Sequence, residues 1–244
     1  YKVPVDHPEI PKTNLVTISE NGYSWGNQEF DGIIKNCRFR NSTQNGLVVN
    51  RVGCDVEYGI FDYNMLHGIL INSKGSETTI RRTEFYYNGY LGGGDGCSLK
   101  IGSYVTRVRD CNFYKDYGCI IIGAYARDVS ITDCALGSAQ RNILECFGGL
   151  LFLERVRFVG ADQITSGTHY YGDILLKNSG TDSGNFPVYI RDCQFDSSLS
   201  RYNINIEDTK DRMIILDCPI FISNADEITN KKEKIKIPQY VSYE

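Results

Sequence analysis

Five short apolar runs in this chain each follow a residue that can shed a proton or bind a hydroxyl. Asn45 precedes GLVV, His67 precedes GILI, Asp95 precedes GCSLKI, Tyr117 precedes GCIII and Arg141 precedes NILEC. If the runs are strands in register, these heads form a column. His67 would then lie one repeat from Asp95, where a carboxylate orients an imidazole and favours its charged form. His67 or Tyr117 as base, with Arg141 facing a developing enolate, is equipment for abstracting a proton beside a carbonyl. Hydrolysis would instead use two carboxylates roughly 5 to 10 Å apart. Asp62 and Glu84 are the pair that a repeat would bring together. Plainer readings stand beside both: polar residues at strand mouths for the column, and an ion-pair ladder with Arg38 and Arg40 for the carboxylates.

Such a column needs a repeat to build it. The step from Cys37 to Phe39 recurs as Gly59/Phe61, Thr83/Phe85, Cys111/Phe113, Cys134/Leu136, Val156/Phe158, Cys193/Phe195 and Cys218/Ile220. The period stays in the twenties and is stretched once by a long insertion, the signature of a solenoid. Before five of these steps stands an Asn or Asp: Asn36, Asp110, Asp133, Asp192 and Asp217. No segment keeps a helical period over helical length, the leucine-rich frame is missing, and 17 Tyr against 6 Pro favours strands. The architecture that fits is all-β: a right-handed, single-stranded parallel β-helix of about eight to nine coils with three sheets. It would span residues 30–222, after a lead-in segment and degenerate first coil at 1–29 and before a capping segment at 223–244. Residues at one coil position then stack, so Cys37, Cys111, Cys134, Cys193 and Cys218 would form a reduced interior ladder beside a ladder of Phe.

Alternation sorts the faces. Before the Asn/Asp turn, the outward column reads Lys35, Glu57, Arg81, Arg109, Thr132, Glu154, Arg191, a solvated sheet. On the Gly-led strand the outward column reads Val48, Leu70, Ser98, Ile120, Leu144, Leu175, Asn205, an apolar stripe that calls for a cover. The inward register through Val49, Ile71, Leu99 and Ile121 arrives at Glu145. Either the coil slips by one residue, putting Leu144 and Cys146 inside, or the chain buries a perturbed carboxylate.

The repeated strand, the Asn/Asp turn and the stacked Cys and Phe positions resemble the pectate-lyase-like β-helix superfamily, most closely bacteriophage tailspikes and tail appendages. That resemblance implies an Asn turn ladder between the second and third strands and a sugar chain lying along the Gly-led strand and the loops before it. It also implies a homotrimer closing over the apolar stripe, with other virion tail proteins as neighbours. The loops carry Tyr63, Tyr86, Tyr87, Tyr90, Tyr114, Tyr117, Tyr170 and Tyr171. Of these, Tyr86, Tyr87, Tyr90, Tyr117, Tyr170 and Tyr171 are the expected glycan contacts, because a phenol offers a flat apolar face and a hydroxyl.

Other classes recede. A net charge of -4 gives no field for nucleic acid, and no apolar run is long enough to span a membrane. Nine Cys without CxxC spacing point to neither a disulfide framework nor zinc, and no cofactor motif stands in a suitable context. Free stacked thiols suit assembly in a reducing compartment before a life on a virion or outside the cell. The expected function is a tailspike-like virion protein that binds bacterial surface polysaccharide, with its cleavage left open. A secreted polysaccharide lyase or glycoside hydrolase and a purely structural spike are the alternatives.

Overall fold

Each coil is three short strands joined by turns, and each strand bonds to its counterpart one coil away. The computed structural model describes residues 14–19, 31–50, 53–72, 77–90, 95–102, 105–160, 171–177, 186–196, 202–207, 213–217, 219–221, 226–229 and 235–236. The first complete coil runs Asp31–Lys35, Arg38–Arg40, Asn45–Asn50. Its relatives build three parallel sheets: sheet 1 of nine strands holding the Gly-led runs, sheet 2 of nine holding the runs before the Asn/Asp turn, and sheet 3 of eight. The described residues contain no helix.

Two sharp corners per coil are made by single left-handed residues. Between sheets 2 and 3 they are Asn36, Tyr58, Arg82, Asp110, Asp133, Arg155 and Asp192, with φ between 50° and 55°. Asn and Asp bear this conformation most cheaply, so the expected turn ladder is present, and Tyr58, Arg82 and Arg155 extend it. Asp217 ends the strand Ile214–Asp217. A second corner, between sheets 3 and 1, uses Asn41, Tyr63, Tyr87, Lys115, Ser138 and Gly160 in the same way.

The core is a set of columns. Phe39, Phe61, Phe85 and Phe113 stack with centroids 4.7, 5.3 and 4.4 Å apart, Leu136 replaces the next ring, and Phe158, Phe195 and Phe221 resume at 5.0 Å each. Each such contact adds about 0.5–1.5 kcal/mol beyond area burial. Beside it run Cys111, Cys134 and Cys193, buried and free, each thiol donating to a carbonyl two residues back. Cys37 departs from expectation: it is free but exposed, because it begins the column and Gly59 in the next coil offers no side chain to cover it. Cys218 lies outside the described residues.

Sheet 1 corrects the expected register. Leu99 pairs with Ile69 and Ile120, Ile101 with Ile71 and Ile122, and Ile120 with Leu144. The strands Cys97–Ile101 and Ile120–Ile122 therefore sit further along than their Gly heads suggested. Ile120, Leu144 and Cys146 face the core, and the outward column is Val48, Leu70, Lys100, Ile121, Glu145, Leu175, Asn205. Turning two aliphatic side chains inward is cheaper than burying a carboxylate among them. The stripe expected to hold a trimer thus loses Ile120 and Leu144 and gains two charges, while Val48, Ile121 and Leu175 are already covered within one chain. On sheet 2 the expected column from Lys35 to Arg191 stands, but the neighbouring outward column carries Phe152 and Tyr189, so that sheet is not purely a solvated face.

Candidate functional site

The corner between sheets 3 and 1 collects the tyrosines. Tyr63 and Tyr87 occupy successive left-handed positions, so their side chains leave the solenoid in the same direction, and the rings stack at 5.0 Å with an interplanar angle of 10°. The Arg40 guanidinium lies 5.1 Å from the Tyr63 ring, and the Lys115 ammonium lies 5.7 Å from Tyr87 and 5.1 Å from Tyr114. A bond with the Tyr87 side chain, then the neighbouring phenols, raise the Lys115 pKa and keep it charged. The result is a ridge of cation, phenol, phenol and cation rising one coil at a time. Tyr63 and Tyr114 are exposed, whereas Tyr87 is half-buried.

The other tyrosines are more committed to the scaffold. Tyr86 gives its hydroxyl to Glu84 at 2.6 Å, and Tyr90 gives its own to the Lys115 carbonyl at 2.6 Å. Burial raises both phenol pKa values, Tyr86 to about 12. Tyr117 and Tyr171 are half-buried, and Tyr170 lies outside the described residues.

The strand-head column assembles only in part. His67 is 2% exposed, and its Nδ1 lies 3.5 Å from the Cys97 thiol. Cys97, not Asp95, is its partner in the strand register, because the longer approach to this strand puts Asp95 two residues too early. Asp95 is exposed and pairs with Lys100 at 3.4 Å, so the expected bond from His67 to Asp95 is replaced. Burial, then Lys100, push the His67 pKa down to about 4, leaving a neutral imidazole. Tyr117 and Arg141 do come together, with the guanidinium 5.8 Å from the ring centroid. Arg141 also pairs with Glu145, which accepts the Asn142 amide at 3.0 Å. The buried carboxylate that the sequence raised is thus paired on the outward side of sheet 1.

Asp62 and Glu84 do not act as a free pair. Arg38 grips Asp62 through Nε and Nη2 at 3.0 and 2.6 Å, Arg40 adds a contact at 3.1 Å, and Glu84 holds Tyr86. The ion-pair ladder describes Asp62 well. Among the described residues no group of three or more His, Cys, Asp or Glu could hold a metal ion, and no helix is long and apolar enough to cross a membrane.

Lys115 and Arg40 were missing from the expected contacts. The available signal was YKDY, a Lys directly after Tyr114 and two residues before Tyr117, at the coil position of Tyr63 and Tyr87.

A family model described as a right handed beta helix region matches residues 23–170. No curated protein matches the chain in sequence. Among solved structures, the A-module of the Azotobacter vinelandii mannuronan C-5 epimerase AlgE4 is similar, with a TM-score of 0.60 and 10% identity over 86% of this chain and 58% of that one. The chain therefore spans 58% of that structure's length, and at this identity the likeness is one of fold.

Proposed function

The chain belongs to the right-handed β-helix family, and from that premise we propose that it binds polysaccharide along the corner between sheets 3 and 1. The observation that carries this reading is the Arg40, Tyr63, Tyr87, Lys115 ridge. Its groups repeat at the coil spacing of about 4.8 Å, a step of the same order as one sugar unit, so a regular polymer meets a regular surface. Tyr63 sits between Arg40 and Tyr87, and Tyr87 between Tyr63 and Lys115, so ring edges and hydroxyls, more than open faces, meet the ligand. The two cations suit sugars bearing acidic groups. The similar solved structure is named for action on mannuronan, a polysaccharide, which is congruent with this reading.

The setting we favour is a tailspike-like virion protein attaching to bacterial surface polysaccharide. A homotrimer is part of that setting, and light scattering that reports a monomer at working concentration removes it. A secreted lyase is the second reading, favoured by Arg141 lying over the Tyr117 ring. There Tyr117 would take the proton and Arg141 would face the enolate. Appearance of unsaturated sugar ends, lost in Tyr117→Phe, would establish it.

The test of binding is a printed array of bacterial glycans probed with wild type and with the double variant Tyr63→Asn, Tyr87→Asn. Asn keeps the left-handed corners. Loss of acidic-glycan signal by tenfold or more is expected, and undiminished signal overturns the proposal.

A further inference from the structure

A separate concavity of about 470 Å³ lies on the outside of sheet 2, far from the tyrosine corner in the order of the sheets. Two outward columns line it. One reads Ser130, Phe152, Tyr189, Ile215, and the other Thr132, Glu154, Arg191, Asp217.

Phe152 and Tyr189 stack with centroids 4.6 Å apart and an interplanar angle of 8°, yet Phe152 remains 37% exposed. The reason is the rung beside it. Ser130 is too small to cover the other face of the Phe152 ring. One coil further, Arg107 is drawn aside by Asp128, with two bonds of 2.7 Å. An aromatic face is therefore left open at the floor of a groove, next to a row of charged groups.

That row has unused capacity. Arg191 Nε binds Asp217 Oδ2 at 3.1 Å, and Arg191 Nη1 stands 3.9 Å from Glu154 Oε1, which Arg155 also approaches at 2.9 Å. Asp217 Oδ1 is buried with no hydrogen-bond partner among the described residues. The Asp217 side chain is nonetheless 21% exposed, and Oδ2 keeps a lone pair beyond its bond from Arg191, so a hydroxyl entering the groove can donate to that oxygen.

We infer that this groove is a second carbohydrate site, taking a neutral pyranose unit with its apolar face on Phe152 and its hydroxyls on Glu154, Arg191 and Asp217. The volume lies within the range of ordinary ligand sites. An open ring face beside paired acceptors is what a ring with one apolar face and equatorial hydroxyls requires. The sugar is neutral because each charge here is already matched, Arg191 by Asp217 and Glu154 by Arg155, which leaves no cation to hold a uronate. This site extends the polysaccharide reading to another face and shares no residue with the corner.

A printed array carrying neutral and acidic glycans separates the two. Wild-type protein should bind a subset of neutral glycans. Phe152→Ala should weaken those signals at least tenfold. Ser130→Phe, which places a ring on the open face of Phe152, should do the same without removing any native group from the wall. Both positions face outward, and unchanged circular dichroism and melting confirm the fold. The Tyr63→Asn, Tyr87→Asn variant should keep the neutral signals. Absence of any neutral-glycan binding, or neutral binding that survives both Phe152→Ala and Ser130→Phe, overturns the second site. Acidic-glycan binding unaffected by the corner variant overturns the corner alone.

Discussion

The Asp116 carboxylate accepts the backbone NH of Asn88 at 2.9 Å and the Asn88 side-chain amide at 3.3 Å, ending a ladder inside the solenoid. Below it, Asn88 Oδ1 accepts from Asn64, and Asn64 Oδ1 accepts from the Ser42 backbone. Each Asn also gives its amide to a Phe carbonyl one coil back, Asn64 to Phe39 and Asn88 to Phe61. Asp116 has no amide to give. Its Oδ2 is buried without a hydrogen-bond partner among the described residues, and Ala139 occupies the corresponding position of the next coil, three residues after Leu136 as Asp116 is after Phe113.

Burial raises the Asp116 pKa to about 7, so the folded chain holds a proton that the unfolded chain has released above about pH 4. The stability this group contributes is full below the unfolded pKa and is lost as pH rises through the folded one. Asp116→Asn should therefore be more stable than wild type at pH 8, by at most about 4 kcal/mol, its amide reaching the Phe85 carbonyl. The gap should open between about pH 4 and 7 and stay constant above. Urea melts at several pH values that give a constant gap would dismiss the ladder account.

His67 acts with the opposite sign. Its folded pKa of about 4 lies below the ordinary imidazole value, so the unfolded chain binds the extra proton. Stability from this group rises as pH rises from about 4 to about 6.5. In wild type the two slopes oppose over that window and leave a shallow profile. His67→Gln should expose the Asp116 fall, and Asp116→Asn should expose the His67 rise. Because the imidazole is covered, His67→Gln should leave glycan binding unchanged. A wild-type profile that steepens in neither variant would refute the pairing.

Much of this fold was legible because its determinants are local and repeated. Cys-x-Phe at a period in the twenties placed Phe61, Phe85 and Phe113 in one column, and Asn or Asp before the step marked the left-handed corner. What escaped was set between coils. GCSLKI and GCIII begin alike, yet the first strand starts at Cys97 and the second at Ile120, and only packing against Ile69 and Leu144 decides which residues turn inward. Phe152 and Tyr189 meet across a long insertion, so no local pattern pairs them. Tyr87 and Lys115 carry no Asn-like signature, because their left-handed corners are imposed by the coils around them.

Gly89 and Gly96 are structural glycines. Gly89 has φ of 93°, and a Cβ on Gly96 would fall 1.9 Å from the Gly89 carbonyl oxygen. These two glycines pinch the base of the insertion before the strand Cys97–Ile101. Gly96→Ala should cost roughly 2 kcal/mol or more and should loosen the His67 and Cys97 contact. Chemical denaturation showing a loss below a few tenths would mean that the pinch can relax.

Lys115 offers the sharpest probe of the corner. Its ammonium lies against both Tyr87 and Tyr114 and near the surface, so its attraction to an acidic sugar is a partly screened Coulomb interaction. Raising ionic strength from 0.01 to 1 M shortens the screening length from about 30 to about 3 Å, which should weaken acidic-glycan binding in wild type. Lys115→Gln removes the charge while keeping a polar, unbranched side chain only one atom shorter. It should lower affinity for acidic glycans at low salt, flatten the salt dependence, and leave neutral glycans untouched. Surface plasmon resonance at several salt concentrations measures all three. If the variant and wild type show the same slope, the charge on Lys115 does not face the ligand, and the ridge binds through its phenols alone.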